Sequence, residues 1–70
     1  MKEQDLIGRQ IIYWRLLNSV PVERIGTIMS VTDYGDNNFG ITVKDIASNI
    51  QTGFCVVGLT ALRLVERKHS

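Results

Sequence analysis

Residues 52–66 read TGFCVVGLTALRLVE, and this stretch decides the fold expected for the whole chain. Gly53 ends a polar loop and leads into residues 54–59, a valine-rich run that is typical of a strand. Residues 60–62 predict a single tight 3-10 turn, and residues 63–66 predict a short closing strand with Leu64 facing inward. This ending favours a small closed or nearly closed β-barrel.

The length of the chain predicts one domain, residues 5–67, with flexible tails at residues 1–4 and 68–70. A domain this short buries only about 60% of the surface that its unfolded chain exposes, so it usually needs extra support. The single cysteine, Cys55, excludes an internal disulfide, and with His69 it is too small a set for a structural zinc site. Self-association into a homo-oligomer is therefore the expected source of stability.

Composition restricts the class of protein. A hydrophobic fraction of 44% argues against disorder, and a net charge of +1 argues against strong non-specific binding to nucleic acid. No apolar run approaches the ~20 residues of a membrane span, and the N-terminus lacks the apolar core of a signal peptide. Together with the lone thiol, these features predict a cytoplasmic protein with no membrane contact, no metal and no cofactor.

The first apolar segment, residues 6–17, has two interpretations. Its length and lack of proline allow a helix, but at helical spacing its apolar residues leave no polar stripe. Residues 11–14 are β-branched or aromatic, and Gly8 would weaken a helix by roughly 1 kcal/mol relative to alanine. The sequence predicts a strand that starts near Ile7 or Arg9.

The central part of the chain predicts two further strands. Residues 18–21 predict a loop, residues 33–40 a turn region and residues 47–53 a polar loop. Between them lie strand two, residues 23–32, and strand three, residues 41–46. The predicted core face of strand two is formed by Ile25, Thr27, Met29 and Val31.

Three segments, residues 7–14, 24–28 and 57–65, resemble the SH3-like barrel family in its broad sense, which includes Tudor, KOW and type II dihydrofolate reductase domains. The resemblance implies an all-β, five-stranded SH3-like barrel with a short 3-10 turn before the last strand. Residues 55–58, Cys-Val-Val-Gly, stand where the reductase has Val-Gln-Ile-Tyr. Because the glutamine and tyrosine are missing, the resemblance supports the architecture and argues against an enzyme.

Aromatic residues are the first candidate site. Tudor-like domains hold methylated lysine or arginine in aromatic cages, and an aromatic ring attracts a cation by about 0.5–2 kcal/mol. In the alternative interpretation, Tyr13 or Trp14 plugs the barrel and Phe39 covers its end. Neighbours on a strand face opposite sides, so one of the two strand-one rings should be exposed or in an interface. The predicted partner-binding residues are Tyr13, Trp14, Tyr34 and Phe39.

Basic residues are the second candidate site. KOW-like and Tudor-like barrels contact nucleic acid through basic strand faces, so these residues could form a phosphate-contacting stripe. In the alternative interpretation they are ordinary solvated charges balanced by Glu23, Asp45 and Glu66. The possible nucleic-acid-binding residues are Arg9, Arg15, Lys44, Arg63 and Arg67.

The turn residues and Cys55 have structural rather than catalytic or metal-binding interpretations. The acidic and amide residues of the turn region lack the spacing of a calcium loop and are typical of tight turns. Cys55 has no nearby base and is expected to be buried or in an interface. The chain is thus predicted to be a non-enzymatic adaptor or regulator, of the kind encoded by bacteria or mobile elements, that binds another protein or itself. Nucleic-acid binding is the alternative.

Overall fold

The structure, a computed structural model, describes residues 3–65 and shows an all-β fold of five antiparallel strands. The strands are β1 (Gln10–Leu17), β2 (Val20–Gly35), β3 (Asn38–Asp45), β4 (Gln51–Val57) and β5 (Arg63–Leu64). Short 3-10 turns cover Glu3–Asp5 and Leu59–Ala61. The strand interpretation of the first apolar segment is confirmed, and so is the turn before the last strand. Part of the predicted N-terminal tail forms the first 3-10 turn, while the tail predicted at 68–70 lies outside the described residues.

All five strands belong to one sheet with the order β4-β3-β2-β1-β5. The first four strands pair in sequence as antiparallel neighbours, and β5 returns to pair with Ile11 and Ile12 of β1. β4 and β5 are the two ends of this order, and they do not pair with each other within residues 3–65. The sheet is therefore open, and the predicted barrel closure is not observed.

Two tight hairpins explain why β2 and β3 are longer than the sequence predicts. Asn18 and Ser19 both have positive φ, and so do Asp36 and Asn37. Two-residue hairpin turns with this geometry match the twist of the flanking strands, and Asn and Asp tolerate it well. The predicted loop and turn regions thus shrink to two residues each, and Pro21 lies within β2.

The predicted core face of β2 is wrong over most of its length. Ile28 is fully buried, whereas Ile25 is 39% exposed and Met29 is 44% exposed. The register between β2 and β3 shifts between Ile28 and Ser30, which marks a bulge. An extra residue at a bulge reverses which side chains face inward, so Val31 packs against the core as predicted although Met29 does not. Thr27, on the same side as Ile25, is only half-buried.

The core lies on one side of the sheet and draws on β1, β2 and β3 together with the segment before β1. Its buried members are Leu6, Ile11, Tyr13, Ile28, Phe39, Ile41 and Val43. Half-buried side chains from β4, the second 3-10 turn and β5 pack against it, and Leu64 is among them. The inward direction predicted for Leu64 is therefore confirmed, and the C-terminal segment covers one end of the core.

Candidate functional site

An apolar groove of about 290 Å³ lies between β1 and β4. Its walls come from β1, from β4 and from the segment that leads into β5. The lining residues are Ile11, Ile12, Tyr13, Trp14, Phe54, Val56, Ala61, Leu62 and Arg63. The groove exists because β1 and β4 face each other without pairing, which leaves their side chains to line the gap.

One aromatic contact and one exposed aromatic ring mark the groove. The rings of Tyr13 and Phe54 stack with centroids 6.3 Å apart and planes 13° apart. Tyr13 is buried, whereas its neighbour Trp14 points to the other face of the strand and is 59% exposed. The expectation that the two neighbours separate into one core ring and one exposed ring is confirmed. Trp14 therefore lines a groove while most of its side chain remains open to solvent.

The backbone of β1 is also available beside the groove. The Ile28 N–H donates to the Arg9 carbonyl at 2.8 Å, and the Val65 N–H donates to the Gln10 carbonyl at 2.9 Å. Alternate residues of a strand direct their backbone groups to opposite sides, so Trp14 and Leu16 present theirs on the β5 side. β5 pairs only with Ile11 and Ile12, so within residues 3–65 no strand pairs with this part of the edge.

Beyond the groove, β1 and β2 continue as a two-stranded arm, residues 14–23. β3 starts to pair with β2 only at Gly26, so within residues 3–65 no third strand pairs with the arm. Several large apolar side chains of the arm are exposed, and they are Trp14, Leu16, Leu17 and Val20. Isolated two-stranded ribbons are marginally stable in water, and exposed apolar clusters mark interaction surfaces.

A buried carboxylate, Asp45, holds the ring of Tyr13 against the groove. The Tyr13 hydroxyl donates to Asp45 at 3.0 Å, and Arg24 donates twice, from Nε at 2.8 Å and from Nη2 at 3.0 Å. The backbone N–H groups of Ala47 and Ser48 complete the set at 2.8 Å and 3.0 Å. We define these three side chains, Tyr13, Arg24 and Asp45, as the polar anchor. Because every one of these bonds reaches Asp45, its carboxylate links β1, β2 and the turn after β3.

The polar anchor shifts the pKa values of its members in opposite directions. The Arg24 guanidinium, with the Ser48 N–H second, holds the pKa of Asp45 far below its ordinary value even though burial opposes the change. Burial, together with the hydrogen bond to Asp45, raises the pKa of the Tyr13 hydroxyl. Asp45 is thus ionised and Tyr13 neutral at neutral pH, so the hydroxyl remains a hydrogen-bond donor that holds the ring in place.

Gly26 provides the space for that ring. A Cβ at Gly26 would lie 2.9 Å from Cε1 of Tyr13 and 3.1 Å from the Lys44 carbonyl oxygen. Side-chain atoms do not approach that closely without displacement, and here one neighbour is backbone. A glycine is therefore required where the Tyr13 ring crosses β2.

The four predicted aromatic residues do not form one cage. Tyr13 and Phe39 are buried in the core. This agrees with the alternative interpretation, in which Tyr13 or Trp14 fills the interior and Phe39 covers its end. Tyr34 is exposed, but it lies over Gly40, where a Cβ would come within 2.7 Å of its ring. It lines a different, shallow depression that contains Thr42, Gly53 and Cys55 and none of the other predicted aromatics. Trp14 is the one predicted aromatic that is both exposed and in the apolar groove.

The described basic residues divide between the two faces of the sheet. Arg9 and Arg15 share the side of β1 that carries the buried Ile11 and Tyr13. Lys44 and Arg63 lie on the opposite face, and Arg63 forms an exposed ion pair with Glu23 at 2.9 Å. Arg67 lies outside the described residues. The structure therefore does not bring these residues into one stripe.

Two further expectations concern Cys55 and the turn region. Cys55 is exposed in the single chain, so the expectation of a buried thiol is wrong, and its place in an interface stays a prediction. The Gly35 N–H donates to Asp33 at 2.8 Å, a local turn contact of the expected kind. Among the described residues, no three His, Cys, Asp or Glu side chains cluster as metal ligands would. Nor does that part of the chain contain a helix able to cross a membrane.

The comparisons with known proteins identify no relative. No protein-family model matches the chain. The searches of curated proteins and of solved structures likewise return no match. The candidate site therefore depends on its own geometry.

Sequence reasoning missed two parts of this site. In the alternative interpretation of the basic residues, Asp45 is a solvated charge, although an Asp at the start of a turn commonly accepts from the backbone N–H groups that follow it, here those of Ala47 and Ser48. The local pattern places Ala61 and Leu62 only in the final turn, although they line the groove. No local pattern indicates that the final turn meets β1, because the two are about fifty positions apart in the chain.

Proposed function

We propose that this chain is a small, non-enzymatic protein-interaction module of SH3-like architecture that acts in the cytoplasm. The strand order and the 3-10 turn before β5 support that architecture. The observation that carries the function is the apolar groove, in which Trp14 is exposed beside the stacked Tyr13 and Phe54. The proposed ligand is an extended, apolar segment of another protein.

The groove has two properties that suit such a segment. Its lining is almost entirely apolar, so burying a peptide side chain there gains about 25 cal/mol per Å² of apolar surface removed from water. The neighbouring edge of β1 offers unpaired backbone groups at Trp14 and Leu16, the means by which an extended peptide adds to a sheet. Side-chain burial and backbone pairing would thus act on the same ligand.

The test is a titration of the full chain with peptides selected from a library of extended apolar sequences, followed by NMR. We expect the largest shifts at Trp14, Phe54 and Leu62, and we expect Trp14→Ala to weaken binding at least about tenfold because exposed Trp anchors dominate such interfaces. Tyr34→Ala is the matched control, since Tyr34 is equally exposed but lies elsewhere. Shifts centred on Tyr34, or unchanged affinity of Trp14→Ala, would overturn the proposal.

Nucleic-acid binding is the alternative function, and the charge distribution favours it less. Arg24 and Arg63 are engaged with carboxylates, and the remaining described candidates lie on two faces. Phosphate contacts make affinity fall steeply with salt. A salt-sensitive shift of DNA or RNA that Arg15→Gln and Lys44→Gln each weaken would favour this alternative over the protein ligand.

A further inference from the structure

The sheet has two outer edges within the described residues, and they differ in length. β4 provides seven residues at one edge, whereas β5 provides two at the other. A strand at the edge of a sheet carries unpaired N–H and C=O groups that form a template for another strand. The longer edge, β4, therefore offers the larger unsatisfied surface.

The hydrogen bonds at both ends of β4 determine which of its backbone groups face outward. The Gly58 N–H donates to the Asn37 carbonyl at 2.7 Å, and the Asp45 N–H donates to the Ile50 carbonyl at 2.9 Å. Even-numbered residues of this segment thus face β3. By alternation, the outward N–H and C=O groups belong to Gln51, Gly53, Cys55 and Val57.

β4 lacks the features that usually protect an edge strand. Residues 51–57 contain no charged residue and no proline. Their pairing with β3 runs one-to-one from Asn38 opposite Val57 to Lys44 opposite Gln51, with no bulge. Natural edge strands are commonly blunted by charges, prolines or bulges, so an edge without any of them is suited to pairing.

We propose that β4 pairs antiparallel with β4 of a second copy of this chain across a two-fold axis. In the register that overlaps all seven residues, Phe54 faces Phe54 of the second copy. Gly53 then faces Cys55 of the second copy, and Gln51 faces its Val57. The two sheets become one continuous sheet across the axis.

Electrostatics and side-chain pairing favour a second copy of this chain as the partner of the β4 edge. A strand without charge meets its own copy without like-charge repulsion, whereas self-pairing of the free β1 edge about Arg15 would oppose two arginines. On the inner face, the register pairs Phe54 with Phe54 and Thr52 with Val56, and aromatic and β-branched pairs stabilise sheets. A head-to-tail contact of β4 with β5 would have only Arg63 and Leu64 to pair with.

The second copy would pair along the edge of β4 that borders the groove, and this pairing places Cys55 at a contact between copies. It also supplies the additional buried surface that a domain of this size usually needs. Trp14 lies on β1 and takes no part in this pairing, so groove binding and self-pairing can still fail independently in an experiment.

The first test is amide hydrogen exchange, measured by NMR at low and high concentrations of the full chain. We expect Gly53, Cys55 and Val57 to gain at least about tenfold protection as the dimer forms, because their outward N–H groups become paired. Thr52, Phe54 and Val56 already bond to β3 and should be protected at both concentrations. Unchanged exchange at the odd-numbered residues, or equal gains at both sets, would overturn the proposal.

The second test compares two substitutions of one residue by sedimentation equilibrium. We expect the wild-type chain and Cys55→Ala to reach twice the 7.9 kDa of one chain. Cys55→Pro should remain a monomer, because it removes an outward N–H without removing a bond to β3. Circular dichroism checks its folding, and if it unfolds, the exchange test decides.

The remaining outcomes are also decisive. A wild-type monomer at millimolar concentration, a folded Cys55→Pro dimer, or a closed ring of three or more copies would each contradict β4 self-pairing. Trp14→Ala should keep the dimer and lose the groove peptide. The failure of one proposal is therefore distinguishable from the failure of the other.

Discussion

The base and the tip of the β1–β2 hairpin differ in which side chains are buried and which are exposed. At the base, the polar anchor gives the buried carboxylate of Asp45 five donors from three parts of the chain. At the tip, the arm exposes large apolar side chains, and Leu16 is 70% exposed. The comparison teaches that the buried carboxylate is fully partnered at the base, while large apolar side chains are left exposed at the tip.

The largest effect is expected from Asp45→Ala, which would test whether the base is rigid because of the polar anchor. The substitution leaves the Tyr13 hydroxyl, Arg24 and two backbone N–H groups without their acceptor. Unpartnered buried polar groups are strongly destabilising, so we expect the melting temperature to fall by at least about 10 °C relative to the wild-type chain. Asp33→Ala is the control, since Asp33 is exposed and accepts one local bond. A melting temperature for Asp45→Ala equal to that of the control would contradict the anchor's structural role.

The next largest effect is expected from Gly26→Ala, compared with Gly40→Ala. Both glycines lie under a tyrosine ring, but the ring over Gly26 is held by Asp45, whereas that of Tyr34 is exposed and can move away. We expect Gly26→Ala to lower the free energy of unfolding by about 1–3 kcal/mol, and Gly40→Ala by less than about 1 kcal/mol. Chemical denaturation measures both. Equal losses would mean that the base is no more rigid than the outer face.

Low pH should destabilise the base of the β1–β2 hairpin, where Asp45 is buried. The folded-state pKa of Asp45 lies far below its ordinary value, so its contribution to stability is present above the unfolded pKa of about 3.9 and is lost as pH falls towards the folded value. We expect the melting temperature to fall steadily below about pH 4.5. Asp45→Asn, if folded, should show a shallower fall, because it lacks this titrating group. Parallel pH profiles for the two proteins would assign the acid sensitivity to other carboxylates.

The smallest effect on stability is expected from Leu16→Thr, which tests the tip. Leu16 is mostly exposed, and threonine is β-branched and therefore favours a strand. We therefore expect a change in the free energy of unfolding within about 0.5 kcal/mol, measured by denaturation of the dilute protein. Leu64→Thr is the contrasting variant, since Leu64 packs against the core and should cost clearly more. A loss above about 1 kcal/mol for Leu16→Thr would show that the arm is packed within the single chain.

Features that depend on neighbouring residues could be predicted from the sequence. The aromatic and β-branched residues of β1 indicated a strand, and alternation separated Tyr13 from Trp14. The C-terminal 3-10 turn and the inward direction of Leu64 followed from a short local pattern. In each case the physical cause, a turn preference or the two-residue period of a strand, acts within a few positions.

Long-range contacts decided the rest. The bulge after Ile28 reversed the core face of β2, and its position depends on pairing with β3. The groove requires β1 to meet Phe54 of β4, about forty positions later in the chain. Asp45 became the centre of an anchor because Tyr13 and Arg24 reach it from 32 and 21 positions away.

The sequence by itself thus determined the strands, the closing turn and the fact that only one of two adjacent aromatic rings could be buried. Only the tertiary structure decided that the sheet stays open, that β4 is its longer outer edge and that Trp14 borders a groove. The physical reason is that strand propensity and alternation are local. Pairing partners and sheet edges depend on closing loops between residues that the chain holds far apart.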